Sequence, residues 1–409
     1  MTQDQTAVFN PFIPSFKSNP YVQYARARDY AAVYRSDALN AWVITSYEAC
    51  NAILKDPQIF SSDPRYATGA IAEEIAREAE ANPLGYVRNV LTSDPPDHTR
   101  LRAIVNKTFT PKRIAALDRH ITDVTDSLVE PLRIESSFDL MADLAQPLPV
   151  IVIAEMLGIP PSERIRFKEW STVVASATEL VPDPVELERR RVVTEEMVAY
   201  LGEIVDKRLR NPEDDLISAI VNDQDETGDK LTRDEAISFT ILLLVAGNET
   251  TTNLIGNGML ALLNHRNALD EVAANPDMIS PAIEEILRYD SPVQGLVRVA
   301  TQDTEVLGTS IAKGDVLMCM LGAANRDPAA YSDPDTFLID RREKRHLSFG
   351  HGIHFCLGAP LARVEAGTAF KRLFEEFSSF TPVKGGLTRG GTLLLRGADK
   401  LIISAEKRT

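Results

Sequence analysis

One stretch constrains the fold of this chain more than any other: "TRDEAISFTILLLVAGNETTTNLIGNGMLALLNH", from Thr232 to His265. It holds no proline, although the chain has 24. Its first four residues form a capping box. The Thr232 hydroxyl can accept from the backbone N–H of Glu235, and the Glu235 carboxylate can accept from that of Thr232. The pattern predicts a helix to about His265, roughly 30 residues at about 1.5 Å each, long enough to cross a whole domain. Its middle is odd. Gly247 and the polar run Asn248–Asn253 follow the apolar "AISFTILLLVAG", and a glycine alone costs about 1 kcal/mol in a helix interior. Either those polar groups form a solvated stripe, or they act inside the protein.

Around this rod, helical spacing dominates from residue 95 to about 280. Breaks fall at Pro111, Pro131, Pro147, Pro160–Pro161, Pro182–Pro184 and Pro212, with apolar positions such as Leu201, Ile204, Val205 and Leu209 between them. "AAVYR" and "AWVIT" near the start read as strands, with a helix from Ser46 to Lys55 after them. Residues 61–90 read as loop with at most a short helix. Beyond Pro292, "LVRVAT", "TEVLG", "TSIAKG" and "DVLMCML" read as strands, 326–341 as a Pro/Asp-rich meander, and a last helix starts near Pro360. "TLLLRG" and "KLIISAEKR" read as closing strands. The expected fold class is mainly α with a minor β sector, in one large domain spanning 1–409. The β content falls roughly in 30–60, 290–345 and 383–409, and the helical content roughly in 95–290 and 358–378. No linker, repeat or low-complexity tract divides the chain.

A net charge of −15 argues against nucleic acid as a partner. Three scattered cysteines, Cys50, Cys319 and Cys356, do not make a disulfide framework and fit a reducing cytoplasm. The N-terminus lacks the pattern of a signal peptide, and the greasiest run is too short to span a bilayer. A soluble protein without a membrane anchor, and a monomer, is expected. Against the acidic whole, the segment 341–372 carries Arg341, Arg342, Lys344, Arg345, Arg363, Lys371 and Arg372 against Glu343 and Glu365, a local +5. Such a zone is either chance or a docking patch for an acidic protein.

Within that zone lies "FGHGIHFCLGAP" (349–360), with three glycines, two histidines and a cysteine. A cysteine just before a helix meets unpaired N–H groups and the positive end of the dipole, both of which favour thiolate. Gly350, Gly352 and Gly358 permit close approach. A deprotonated sulfur in such a loop suits a metal ligand or a nucleophile. Zinc would need more ligands than His351, His354 and Cys356. A cysteine acyl enzyme would need a base that the segment does not specify. The plain alternative is a small buried hydrophobe in a turn.

The segment matches Phe-x-x-Gly-x-His-x-Cys-x-Gly at every fixed position, and the chain from about residue 30 onward resembles the cytochrome P450 family. That resemblance implies haem b, with Cys356 as axial iron ligand and Phe349, Gly350 and Gly358 shaping the loop around the sulfur. "DHTRLR" supplies His98 and Arg102, which with Arg298 and His354 would hold the two propionates. "VAGNETTTN" is similar to the family's oxygen-binding motif. Ala246 and Gly247 would leave room over the cofactor, Thr250 would hydrogen-bond dioxygen, and Glu249, where many members have Asp, would relay protons. This pair points to dioxygen rather than peroxide as oxidant. Glu285 and Arg288, in the family's Glu-x-x-Arg order, with Arg341, would form a buried structural cluster.

The implied activity is hydroxylation or epoxidation of a small hydrophobic substrate. Electrons would come from a separate ferredoxin or flavodoxin with its reductase, since the residues after Cys356 leave no room for a fused one. A non-hydroxylating outcome such as coupling or desaturation, or a non-catalytic haem-binding protein, are the alternatives. By the same resemblance the pocket draws on 61–90, 168–190, the long helix before Gly247, "SPVQGLV" and "GTLLL". Leu296, Val297, Leu393 and Leu394 point to a terpenoid, steroid, fatty acyl or polyketide compound. Cys50, Cys319, His120, His265 and His346 are expected to be structural, and His351 to lie at the surface.

Overall fold

The computed structural model describes residues 9–175, 184–343 and 345–408. Its long helix runs from Arg233 to Asn264, and the capping box forms in both directions: Glu235 N–H donates to Thr232 Oγ1 at 3.2 Å, and Thr232 N–H donates to Glu235 Oε2 at 2.8 Å. Numbered along the chain, the helices before it are α1 (Pro14–Ser18), α2 (Tyr21–Tyr30), α3 (Tyr47–Lys55), α4 (Ala70–Ala81), α5 (Asp97–Asn106), α6 (Pro111–Val129), α7 (Pro147–Met156), α8 (Arg164–Ala175), α9 (Pro184–Arg210) and α10 (Leu216–Asn222). The long helix is α11. After it come α12 (Arg266–Ala274), α13 (Ile279–Tyr289), α14 (Leu321–Ala324) and α15 (Ala359–Glu376).

Helix α11 contacts α7, α8, α9, α13 and α15, and every residue from Thr251 to Leu262 is buried. Gly258 makes part of this possible: a Cβ there would lie 2.7 Å from Phe370 of α15 and 3.0 Å from Ile286 of α13. The polar run is not a solvated stripe. Asn248 donates to Ser171 of α8 at 2.9 Å, Thr252 donates to the Ala145 carbonyl at 3.0 Å, and Asn257 donates to the carbonyls of Asp290 and Arg396. Polar groups taken out of water must find such partners, and these ones tie α11 to its neighbours.

The β sector joins distant parts of the chain. β1 (Val33–Ser36), β2 (Ala41–Ile44), β3 (Phe60–Ser61), β5 (Leu296–Ala300) and β8 (Val316–Cys319) form one sheet in the order β1-β2-β8-β5-β3, with β8 parallel to β2 and antiparallel to β5. Central β8 is buried on both faces, as a continuous apolar run in mid-sheet should be. Leu317 and Cys319 enter one apolar cluster, Val316 and Met318 another. β6 (Thr304–Val306) pairs with β7 (Thr309–Ile311). β9 (Phe377–Gly391) and β10 (Arg396–Lys407) form a hairpin that adds β4 (Ser137–Asp139) at its edge.

Two sequence expectations fail here. "TLLLRG" is largely a hairpin tip, not a strand: Thr392 N–H donates to the Leu395 carbonyl at 2.8 Å after Gly391 turns at φ +97°, and pairing resumes only at Arg396. β9 also begins at Phe377, earlier than 383. Its Gly, Pro and Lys content hides a strand whose order comes from pairing with β10. Of the proline breaks, Pro182 lies outside the described residues, while Pro184 opens α9.

Glu285, Arg288 and Arg341 meet in the interior at 4%, 2% and 5% exposure. Arg288 forks onto both Glu285 oxygens at 2.7 and 2.8 Å, and Arg341 Nε reaches each at 3.2 Å. The remaining guanidinium protons go to the carbonyls of Asn325, Pro334, Thr336, Ser332 and Asp333, which stitches the meander to α13. Removing the shared anion would leave two buried cations. Glu285→Ala is expected to lower the unfolding free energy by about 3–5 kcal/mol in a denaturant titration. A loss below about 1 kcal/mol would show the cluster is not a structural lock.

Candidate functional site

The loop from Phe349 to Gly358 is fixed by its own backbone. Gly350 N–H donates to Leu347, Phe355 N–H to Gly352, and Cys356 N–H to Phe349 at 2.9 Å. Gly352 has φ +73°, and a Cβ there would lie 2.5 Å from the Leu54 carbonyl, so only glycine fits against the end of α3. Cys356 then sits just before α15, whose N-cap is Gly358. Its thiol opens onto an interior cavity. The N–H groups at the helix start favour thiolate as expected, but they are not the largest influence on the sulfur. Burial dominates and pushes the thiol above its ordinary value, while the N–H groups of Gly358 and Ala359 and the charges of Arg102 and Arg363 work against it.

The same cavity is lined by Phe239, Leu242, Leu243, Ala246, Gly247, Thr250, Thr251 and Leu254 of α11, and by Pro292, Val293 and Leu296. Val90, Leu91 and Ile153 complete much of its apolar surface, and Leu361, Ala362 and Glu365 of α15 also reach it. Gly247 leaves space: a Cβ there would touch only Ile153, at 3.9 Å. Thr250 Oγ1 donates to the Ala246 carbonyl at 2.6 Å. Glu249 is elsewhere. It lines a second, polar cavity with Lys168, Thr172, Asn248, Thr252 and Asp399, and accepts from Thr172 at 3.4 Å. Burial raises its carboxyl above the usual value, with Thr172 opposing.

At the rim of the main cavity, His98 of α5 and His354 of the loop lie ring to ring at 4.3 Å. Both rings are buried, and Nε2 of each has no hydrogen-bond partner. Burial holds His98 down at about 4, with Arg102 adding to it and Asp94 opposing, and holds His354 down at about 3. Both are therefore neutral near pH 7. Arg298 is buried on β5 and gives one hydrogen bond to the Val297 carbonyl, and Arg102 donates to the Phe355 carbonyl at 2.9 Å.

The chain belongs to the cytochrome P450 family. The model of that family, described as Cytochrome P450, matches residues 37–395. The polyketide biosynthesis cytochrome P450 PksS of Bacillus subtilis (strain 168) is 37% identical, over 98% of this chain and 99% of that one. The vitamin D(3) 25-hydroxylase of Pseudonocardia autotrophica is 35% identical, over 100% and 99%. The solved structure of PksS superposes with a TM-score of 0.88 at 36% identity, covering 98% of this chain and 100% of that one. The fold is thus that of a P450: one mainly helical domain with a small β sector. The family's members are monooxygenases that carry haem and use dioxygen and redox partners. No helix among the described residues is long and apolar enough to cross a membrane.

A P450 haem fits what is present. It brings two carboxylates, and the rim offers two orphaned imidazole nitrogens beside two guanidinium groups. It brings iron, and Cys356 offers sulfur to a cavity that is otherwise almost wholly apolar. No zinc-like cluster exists among the described residues.

Several sequence expectations about the pocket need correction. Val297 points outward, at 38% exposure. Leu393 lies in the core beside the sheet, and neither it nor Leu394 lines the cavity, because both ride the hairpin tip. Of 168–190, Lys168, Thr172 and Ala175 line the polar cavity instead, and 176–183 lie outside the described residues. Thr251, Glu365 and Asp94 were not singled out. The signal for Glu365 was a lone acid in the apolar run "LARVEAGTAF".

The +5 count also overstates the surface charge. Arg341 is buried on Glu285, Arg372 pairs with Asp126 and Glu375, Arg363 pairs with Glu284, and Lys344 lies outside the described residues. Arg342, Arg345 and Lys371 remain exposed. Arg363 stacks 4.5 Å over Phe349, so Glu284 braces the cysteine loop through it. His346 also donates to Glu284 through Nε2, since its Nδ1 accepts from Ser348 N–H. Burial alone would raise the Glu284 carboxyl, but His346 and Arg363 pull it down to about 2. Its folded value thus lies below the ordinary 4.5, and its contribution is complete above pH 4.5 and lost as pH falls toward 2. Glu284→Gln is expected to flatten the dependence of stability on pH below 4.5; an unchanged acid limb would contradict this.

Proposed function

We propose that the chain is a monooxygenase that hydroxylates or epoxidises a small hydrophobic compound, with haem b as its cofactor. One observation carries this reading: Cys356, Gly247 and Thr250 line one cavity whose other walls are nearly all apolar. In this reading Cys356 holds the iron. His98, Arg102, Arg298 and His354 hold the propionates, which need buried donors and cations. Ala246 and Gly247 leave the cavity open, while Phe349, Gly350 and Gly358 shape the loop at the sulfur. Thiolate-held haem supplies reductive activation of dioxygen.

The chain's own part is then to bind, exclude water and move protons. Thr250 can turn its hydroxyl from the Ala246 carbonyl toward the cavity and pass a proton there. Glu249, raised by burial and facing the polar cavity, can take protons from that side and deliver them by rotating about α11. Glu285, Arg288 and Arg341 serve structure. The relatives named for a polyketide pathway and for vitamin D(3) hydroxylation support a bulky, largely apolar substrate, as do Leu242, Leu243, Val293 and Leu296. A cytoplasmic location, and electrons from a separate ferredoxin or flavodoxin with its reductase, complete the reading. Among the described residues of 341–372, Arg342, Arg345 and Lys371 are exposed and make no ion pair, and an acidic carrier could settle on them.

The test is turnover with a surrogate ferredoxin and reductase under isotopically labelled dioxygen, using compounds that shift the iron from low to high spin. One labelled oxygen atom in the product is expected, whereas desaturated or coupled product without label would favour the alternative outcome. Arg345→Glu is expected to slow the first electron transfer by about tenfold at low salt, with the effect fading at high salt. An unchanged rate would remove this face from the docking site.

A further inference from the structure

The rim of the main cavity holds an anion that the propionate set leaves out. Asp94 lies just before α5, where its carbonyl accepts from His98 N–H at 2.9 Å. Its side chain reaches two other segments. Oδ2 accepts from the Ser61 hydroxyl at the end of β3, and Oδ1 accepts from Ser62 N–H at 3.1 Å. Oδ1 also lies 4.0 Å from Nε2 of His354 in the cysteine loop. Ser61 is in register with Val299 of β5, the neighbour of Arg298. Asp94 thus braces together the segments that carry His98, Arg102, Arg298 and His354.

Charge makes it more than a brace. Among the described residues, neither Arg102 nor Arg298 forms an ion pair with a carboxylate, and each donates instead to a backbone carbonyl. The hydroxyls of Ser62 and of Ser93, the residue before Asp94, are buried without a partner, as are Nε2 of His98 and Nε2 of His354. Buried polar groups left open mark where partners belong. The two haem carboxylates would supply those partners, and their two charges match those of Arg102 and Arg298. Asp94 is then an anion beyond balance. Its field reaches His98 and Arg298, where it opposes the burial that lowers both.

We propose that Asp94 is a positioning residue for the haem: a fixed third carboxylate at the propionate edge, which braces the rim and by its charge favours oxidised over reduced iron. The inference rests on the haem-thiolate reading and deepens it, since it concerns how readily the first electron is accepted. One electron from the carrier converts ferric to ferrous iron. The ferric state carries one more positive charge, so a nearby anion stabilises it more, and salt screens a partly buried anion less than an exposed one.

The experiment is a spectroelectrochemical titration of substrate-free holoenzyme, comparing wild type with Asp94→Asn, Asp94→Glu and Ser61→Ala. Asn keeps an oxygen that can accept from Ser61 or Ser62 but carries no charge. Glu keeps the charge, and Ser61→Ala removes one bond of the brace without altering charge. Asp94→Asn is expected to shift the equilibrium about threefold toward ferrous iron, a rise of about 28 mV at about 59 mV per tenfold. Asp94→Glu and Ser61→Ala are expected to stay within about 1.5-fold of wild type. The proposal is overturned if Asp94→Asn leaves the potential unchanged or lowers it. It is equally overturned if Ser61→Ala or Asp94→Glu raises the potential as much, because the effect would then come from the brace and not the charge. Should Asp94→Asn not retain haem, Asp94→Ser, also uncharged, decides by the same shift. The carbon monoxide spectrum of reduced wild type keeps the two readings apart: a band of imidazole-ligated haem would sink the thiolate assignment and leave the comparison of potentials standing.

Discussion

A cysteine sulfur held by its own glycine loop, beside an aromatic ring, opens onto a largely apolar cavity, and there burial raises its thiol above the ordinary value against the nearby N–H groups and guanidinium charges. Ionisation would become favourable were a metal cation to take the sulfur, because metal binding and deprotonation would then be one event. Much of the surrounding structure serves to keep that sulfur in place. Gly352 lets the loop press on the end of α3, Arg363 covers Phe349, and Glu284 holds Arg363. The Glu285 cluster anchors the meander that leads into the loop.

The long helix is the second half of the same arrangement. Its polar run costs helix propensity, and the cost is offset because Asn248 and Thr252 each bind a neighbouring element, as Asn257 does further along the helix. What remains faces two ways. Gly247, Thr250 and Thr251 open onto the apolar cavity, while Glu249 opens onto the polar one. A helix with an apolar cavity on one side and a polar one on the other can admit protons without admitting bulk water. That separation is what dioxygen chemistry on an apolar substrate requires.

Much of this was legible in the sequence because it is local. A capping box, a proline-free run and a glycine-dense cysteine loop set their own geometry, so α11 and the Cys356 loop lie where expected. The strands β1, β2, β5 and β8, short and rich in apolar, aromatic and β-branched residues, were readable from their composition. β9 was not, since its residues are poor strand formers ordered by a partner strand. The hairpin tip at Thr392–Leu395 misled in the opposite sense: three leucines read as a strand, but a positive-φ glycine turns the chain before them. Side-chain direction was the larger loss. Glu249 follows Gly247 by two positions, and no linear pattern says that they face different cavities. Nor could charge counting show that Arg341, Arg363 and Arg372 are spent on interior or neighbouring carboxylates.

The account stands on a bond between Cys356 and haem iron, and the absorption spectrum of the reduced protein under carbon monoxide tests it most directly. Wild type is predicted to give the long-wavelength band from which the family takes its name, and Cys356→Ser to lose it. A wild-type band at the shorter wavelength typical of imidazole-ligated haem, or an unchanged long-wavelength band in Cys356→Ser, would contradict the assignment of this sulfur as the ligand.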